Sequence, residues 1–177
     1  MTTIMEEFQN VGKRLIGEGL VGANFGNMSV REMDGFTITR TGSFLDSPGE
    51  TVFLPIEGDA PLNASSEYRV HREVYRITPH QAVVHAHPPH AVALSLTRDR
   101  IIPLDSEGEM FSPVIPVVTG APGSMEMAQN VASALCGHRA AIVRGHGTFA
   151  GGKTLEEAFI ITSIVEHSCR VLILSGR

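Results

Sequence analysis

The stretch Gln81-Ala82-Val83-Val84-His85-Ala86-His87, closed by Pro88-Pro89, decides how the chain is read. Its apolar, β-branched start predicts a strand, and side chains at i and i+2 of a strand share a face, so His85 and His87 present two imidazoles side by side. The two prolines end the strand and leave the second imidazole at its rim. Further along, Ala140-Ala141-Ile142-Val143 predicts another strand, and Arg144-Gly145-His146-Gly147 sets a third histidine between glycines at its end. Three neutral imidazoles with one position left open form a catalytic rather than a structural zinc site. An H-x-H pair alone serves equally as two ordinary core or surface histidines, so the rest of the chain has to decide.

At 177 residues, with 42% apolar and 19% charged side chains, the composition is that of one globular domain, residues 1–177, with a proper core. The net charge of −5 leaves no basic stripe, which argues against nucleic acid and anionic lipid as partners. An anionic substrate would need local donors. Cys136 and Cys169 form no disulfide framework, and neither a signal peptide nor an apolar stretch of membrane-spanning length is read in the chain. The expectation is a cytoplasmic enzyme or binding protein.

Outward from the histidines, the elements follow from caps and periodicity. Thr3-Ile4-Met5-Glu6 has the form of a capping box, and Phe8, Val11, Leu15 and Ile16 keep helical spacing until Gly17 and Gly19. The loop Gly22-Ala23-Asn24-Phe25-Gly26-Asn27 runs into Met28–Arg31, which Asp34-Gly35 turns back into Phe36–Thr39 as a hairpin. A third strand is predicted over Thr51–Ile56. Ser65-Ser66 precede a helix from Glu67 to Ile77, stopped by Pro79 and carrying Glu67 in its first turn. A short helix over His90–Leu96, an acidic segment Asp105–Glu109, a strand Val114–Val118 and a helix capped by Ser124 come next. Thr154-Leu155-Glu156-Glu157 reads as a second capping box, opening a final helix apolar on most faces and therefore buried between layers or between subunits. Strands and helices do not alternate regularly. The predicted fold is α+β, an α/β/α layering in which helices flank a mostly antiparallel sheet.

With these residues in view, the chain resembles the class II aldolase/adducin family, in particular its short archaeal-type fuculose-phosphate aldolase branch. The resemblance covers almost the whole length. Its carriers are Gly26-Asn27-Met28-Ser29-Val30-Arg31, Thr41-Gly42, Ser65-Ser66-Glu67, His85-x-His87 and Gly145-His146-Gly147, in the family's order and approximate spacing. The resemblance implies a divalent metal, usually Zn2+, on His85, His87 and His146, a catalytic Glu67 that also serves as a fourth ligand before substrate arrives, and a substrate phosphate held by Gly26, Asn27, Thr41, Gly42, Ser65 and Ser66. It implies a lyase that reversibly cleaves a ketose 1-phosphate, such as L-fuculose 1-phosphate, into dihydroxyacetone phosphate and an aldehyde such as lactaldehyde, through an enediolate that the metal stabilises. It also implies a homotetramer with active sites shared between subunits. Other members epimerise L-ribulose 5-phosphate or dehydrate methylthioribulose 1-phosphate, and the adducin head is a structural module without a working metal site.

Elementary chemistry supports each position separately. Serines at a helix start offer N–H groups, hydroxyls and the positive end of the helix dipole to a phosphate, although they are equally a plain N-cap. Thr41-Gly42-Ser43 and Gly26-Asn27 are by themselves turns. His71, four residues after Glu67, shares its helix face and is expected to support Glu67 or to pack between layers. One departure stands out: longer bacterial relatives take a proton-donating tyrosine from a neighbouring subunit, whereas the corresponding segment here is Leu104-Asp105-Ser106-Glu107-Gly108-Glu109. Asp105, Glu107 and Glu109 are the candidates for that acid, against a solvated acidic loop.

Overall fold

The computed structural model describes residues 3–177. Its elements are α1 (Ile4–Gly17), β1 (Asn27–Arg31), β2 (Gly35–Thr39), β3 (Thr51–Pro55), α2 (Tyr68–Ile77), β4 (Ala82–Ala86), α3 (Pro89–Ser95), β5 (Arg100–Ile101), α4 (Ser106–Phe111), β6 (Ile115–Val118), α5 (Met125–Leu135), β7 (Ala140–Val143), β8 (Gly147–Gly152) and α6 (Leu155–Leu174). The strands form one eight-stranded sheet in the order β3-β2-β1-β4-β8-β7-β6-β5. Among the described residues only the β6–β7 pair is parallel. The α+β expectation of a mostly antiparallel sheet flanked by helices therefore describes the molecule.

Strand alternation divides the core in two. On one face Phe36, Ile38, Val83 and Phe149 meet Val70, Val74 and Tyr75 of α2 and Met127, Val131 and Leu135 of α5. On the other, Met28, Val84 and Ala86 meet Phe8, Val11 and Leu15 of α1 and Leu155, Ala158 and Phe159 of α6. Residues 83, 85 and 87 thus point toward the α2/α5 layer. The first capping box is closed in both directions, Thr3 N donating to Glu6 at 2.7 Å and Glu6 N to the Thr3 hydroxyl at 3.2 Å.

Several expectations need correction. The helix after Ser65-Ser66 begins at Tyr68, so Glu67 is its N-cap, not a residue of its first turn. Thr154 does cap α6, but the Glu157 carboxylate accepts from Lys153 N at 2.6 Å instead of from the cap residue, which leaves the second box half-formed. The acidic segment is helical: Asp105 caps α4 by accepting from Gly108 N at 2.9 Å. The apolarity of α6 is largely met within the chain, where the sheet and helices α1, α3 and α4 pack against it. Finally, Gly147–Gly152 forms β8, a strand buried along its whole length between β4 and β7. Its glycines carry no strand propensity, and the reason for them is close approach: a Cβ on Gly147 would lie 2.3 Å from the Ala86 carbonyl oxygen, and one on Gly151 would lie 2.5 Å from the His80 ring.

Candidate metal centre

Two separate pieces of chain deliver the three histidines. His85 is the fourth residue of β4, and His87 stands just past the strand end, where Pro88 and Pro89 turn the chain into α3. His146 occupies the tight turn between β7 and β8, with Gly145 at φ +67° beside it. That turn is held to the end of α3 by Arg144, which donates to Ser95 O and Asp99 Oδ1 at 2.6 Å each, and by Gly145 N, which donates to the Ser95 hydroxyl at 2.9 Å. Candidate ligand atoms of His85, His87 and His146 all lie within 4.8 Å of one another.

The donor chemistry suits a cation. His85 Nδ1 lies 2.9 Å from the Thr148 carbonyl oxygen, which can only accept, so the imidazole N–H is there and the Nε2 lone pair points into the cluster. Facing that lone pair are His87 Nε2 at 3.0 Å and Glu67 Oε2 at 2.9 Å, while Glu67 Oε1 lies 3.2 Å from His146 Nε2. Electron-rich atoms converging at such distances call for a positive charge among them. The ring of Phe149 stacks on His85 at 4.1 Å, and Phe25 lies parallel to His87 at 5.5 Å, which confines both imidazoles. Burial, together with neighbouring His85, holds His87 down to about 4 and lowers His146 as well, so both are neutral and able to ligate at pH 7. Burial alone would push Glu67 upward, but His85, His146 and the Asn27 amide hold its carboxyl at about 2, so it rests ionised.

Next to the histidines is a cleft of about 350 Å³ whose walls include Gly26, Asn27, Thr41, Gly42, Ser65, Ser66 and Glu67. Thr41 N donates to Asn63 O at 3.0 Å and Arg40 pairs with Ala64, which straps the Thr41-Gly42 turn to the segment leading into Ser65 and Ser66. Gly26, at φ +77°, approaches β4 so closely that a Cβ there would lie 2.6 Å from the His85 carbonyl oxygen. The residues expected at the site from sequence are thus brought to one cleft. Asp105, Glu107 and Glu109 do not line it.

At or beside the cleft stand residues that sequence reasoning gave no role in the site, Arg40, Phe25 and Ser29, together with His71, which it expected to support Glu67 or to pack between layers. Arg40 and Phe25 line the cleft, Arg40 being the only lysine or arginine among the described residues of its walls. Ser29 and His71, both fully buried, connect to the site through Asn27. Arg40 was hidden as one surface arginine among many, and Ser29 as an inward strand residue; the only sequence signal was the i+2 spacing from Asn27.

A sequence profile of the Class II Aldolase and Adducin N-terminal domain family matches residues 6–173. The chain belongs to the class II aldolase and adducin family. Within that family it is similar to the L-fuculose phosphate aldolase of Methanococcus vannielii, 30% identical over 94% of each chain. It is also similar to the 5-methylthioribulose-1-phosphate/5-deoxyribulose-1-phosphate aldolase of Rhodospirillum rubrum, 32% identical over 84% of this chain and 71% of that one. The crystal structure of L-fuculose-1-phosphate aldolase from Thermus thermophilus superposes with a TM-score of 0.94 and 41% identity, covering 97% of this chain and 93% of the other. Such relatives make this member of the class II aldolase family an enzyme, a lyase of the aldolase kind, rather than an adducin-like structural module. No helix among the described residues is long and apolar enough to cross a membrane.

Proposed function

We propose that this protein is a cytoplasmic, metal-dependent aldolase that reversibly cleaves a ketose 1-phosphate of the L-fuculose 1-phosphate type to dihydroxyacetone phosphate and a short aldehyde. The observation carrying this reading is the Glu67 carboxylate set between three converging imidazoles and a cleft rich in phosphate-binding groups. His85, His87 and His146 would hold a divalent cation, zinc in this reading, which supplies Lewis acidity to a substrate oxygen.

The remaining work falls to the chain itself. Ser65 and Ser66, at the start of the ten-residue α2, and the Thr41-Gly42 turn receive the phosphate, aided by the helix dipole. Arg40 adds the positive charge that a chain of net charge −5 otherwise lacks there. Its partner Glu50 is mostly exposed and pairs with it at 3.3 Å, so little is lost when Arg40 turns to a phosphate. Glu67, ionised at rest, takes a proton from the carbon beside the carbonyl in the condensation direction and returns it in cleavage. Phe25 closes one wall and limits water.

The Rhodospirillum rubrum relative supports a second substrate, a 5-deoxy or methylthio pentulose 1-phosphate, which shares the phosphorylated end and differs in the aldehyde fragment. A product screen decides. Purified protein with one equivalent of zinc is given L-fuculose 1-phosphate, 5-deoxyribulose 1-phosphate, methylthioribulose 1-phosphate and L-ribulose 5-phosphate. Dihydroxyacetone phosphate released from one of the first three supports the aldolase reading, whereas epimerised or dehydrated product without it overturns that reading.

Assembly belongs to the same proposal. Leu96, Ile102, Leu104, Met110 and Phe111 are exposed along the α3–β5–α4 stretch at one edge of the sheet, an apolar concentration that suits a subunit contact. A cyclic homotetramer closes such a heterologous contact on itself. In that ring Glu107 or Glu109 of one subunit would serve the neighbour's site as the proton donor that no tyrosine supplies.

A further inference from the structure

The helix face that carries Glu67 is zipped to strand β1. On α2 and its cap, Glu67, His71 and Tyr75 follow at i, i+4 and i+8, while on β1 Asn27 and Ser29 follow at i and i+2. Four helical residues advance about 6 Å and two strand residues about 6.7 Å, so the two ladders keep step. The side chains consequently alternate as Glu67, Asn27, His71, Ser29, Tyr75, and each consecutive pair is hydrogen-bonded. Asn27 Nδ2 to Glu67 Oε2 is 3.2 Å, His71 Nε2 to Asn27 Oδ1 2.5 Å, His71 Nδ1 to Ser29 Oγ 2.6 Å, and Ser29 Oγ to Tyr75 Oη 2.6 Å. All five residues are buried.

Proton directions along this chain follow from its first member. An ionised carboxylate only accepts, so Asn27 turns its NH₂ toward Glu67 and its carbonyl oxygen toward His71. A carbonyl oxygen also only accepts. His71 must therefore carry its proton on Nε2, which leaves Nδ1 to accept from the Ser29 hydroxyl, and Ser29 in turn accepts from the Tyr75 phenol. Asn27 thus gives its carbonyl oxygen to His71 and one amide N–H to Glu67, and keeps its second N–H.

We propose that Asn27 and His71 are positioning residues for Glu67, His71 acting through Asn27. Glu67 is an N-cap residue with no side-chain cap bond, so its orientation is not set by the helix itself. Asn27 fixes Oε2 and directs Oε1 toward His146 and the cleft. His71, locked as the Nε2–H tautomer, fixes Asn27. This deepens the proposed aldolase reading and rests on it for its kinetic consequences, while the tautomer of His71 stands independently of any substrate.

The first test is nitrogen NMR of the full-length protein with labelled histidine, at pH 7, with zinc and after chelation. The His71 signals, identified by their loss in His71→Gln, should show a protonated Nε2 and a bare Nδ1. A protonated Nδ1 or a doubly protonated ring overturns the proposal, whether or not any sugar phosphate is turned over. Kinetics on the substrate found in the screen form the second test. Asn27→Leu and His71→Leu should each lower kcat about 10- to 100-fold, in His71→Leu with KM changed less than about threefold, the usual cost of losing a supporting hydrogen bond. Arg40→Ala should instead raise KM. His71→Gln, whose amide nitrogen can replace Nε2–H, should recover most of kcat. An unchanged kcat in Asn27→Leu would remove that side chain from the support of Glu67, and failure of His71→Gln to recover activity in a folded protein would reduce His71 to packing. Silence of the wild type toward all four substrates would defeat the functional reading, leaving the tautomer result to judge the zipper.

Discussion

At the scale of single residues, the centre depends on lone pairs being aimed before any ligand arrives. His85 is aimed by the Thr148 carbonyl and by the Phe149 ring, His87 by Phe25, and Glu67 by Asn27. Removing one of three imidazoles leaves too few ligands for a catalytic zinc site. His85→Ala, His87→Ala and His146→Ala are each expected to lose bound zinc, measured by metal analysis after dialysis; stoichiometric zinc in any of them would remove that residue from the set. Glu67→Gln keeps the size and the hydrogen bond to Asn27 but cannot carry a proton. Its zinc content should stay near that of the wild type while kcat falls about a hundred- to ten-thousand-fold, and near-normal turnover would show that the proton travels by another group.

At the scale of elements, the site is a by-product of how strands β4, β7 and β8 end. Strand β8 lies between the other two, and its glycines let them close on it. Gly147 is the tightest of these contacts near the metal centre, since a Cβ there would also lie 3.0 Å from the His85 ring and 3.2 Å from the His87 ring. Gly147→Ala is therefore expected to cost about 1–3 kcal/mol in urea unfolding, and to weaken zinc binding because the two imidazoles are displaced together. An unchanged urea midpoint with unchanged zinc affinity would contradict that packing account. The short helix α4 shows the converse case, in which charge becomes structure: Asp105 closes its N-terminus, so only Glu107 and Glu109 remain exposed to reach another subunit.

For the whole molecule, burying histidines as neutral groups ties stability to pH. Burial, with His85 nearby, holds His71 down to about 3, and His87 is held at about 4. In the unfolded chain imidazoles titrate near about 6.5. Between those values the unfolded state binds more protons, so the stability these residues contribute is complete above about pH 6.5 and is lost on acidification toward pH 3–4. Glu67, held at about 2, adds to the loss below about pH 4.5. The urea midpoint of chelator-treated protein should accordingly fall from pH 7.5 to pH 4.5, and a flat profile would contradict the buried neutral state. Assembly is tested by sedimentation and by mixing. Glu67→Gln combined with a variant altered at Glu107 and Glu109 should regain part of the activity in hybrid rings, while a monomer, or no recovery after verified subunit exchange, would count against a shared site.

The sequence by itself determined what short-range chemistry controls. The H-x-H strand, the Thr3 and Ser124 caps, the Asp34-Gly35 turn and the break at Pro79 each rest on a few neighbouring residues, and all are found where spacing placed them. The three histidines, Glu67 and the Thr41-Gly42 and Ser65-Ser66 turns were legible for the same reason, as short motifs in a fixed order. Tertiary structure alone decided the rest. Strand β8 exists because two neighbouring strands and close approach reward glycines that have no strand preference of their own. Arg40 enters the cleft because its turn is strapped to residues far along the chain. The alternation of Asn27, His71 and Ser29 beneath Glu67 arises from the match between helix rise and strand rise, a long-range register that no local periodicity announces.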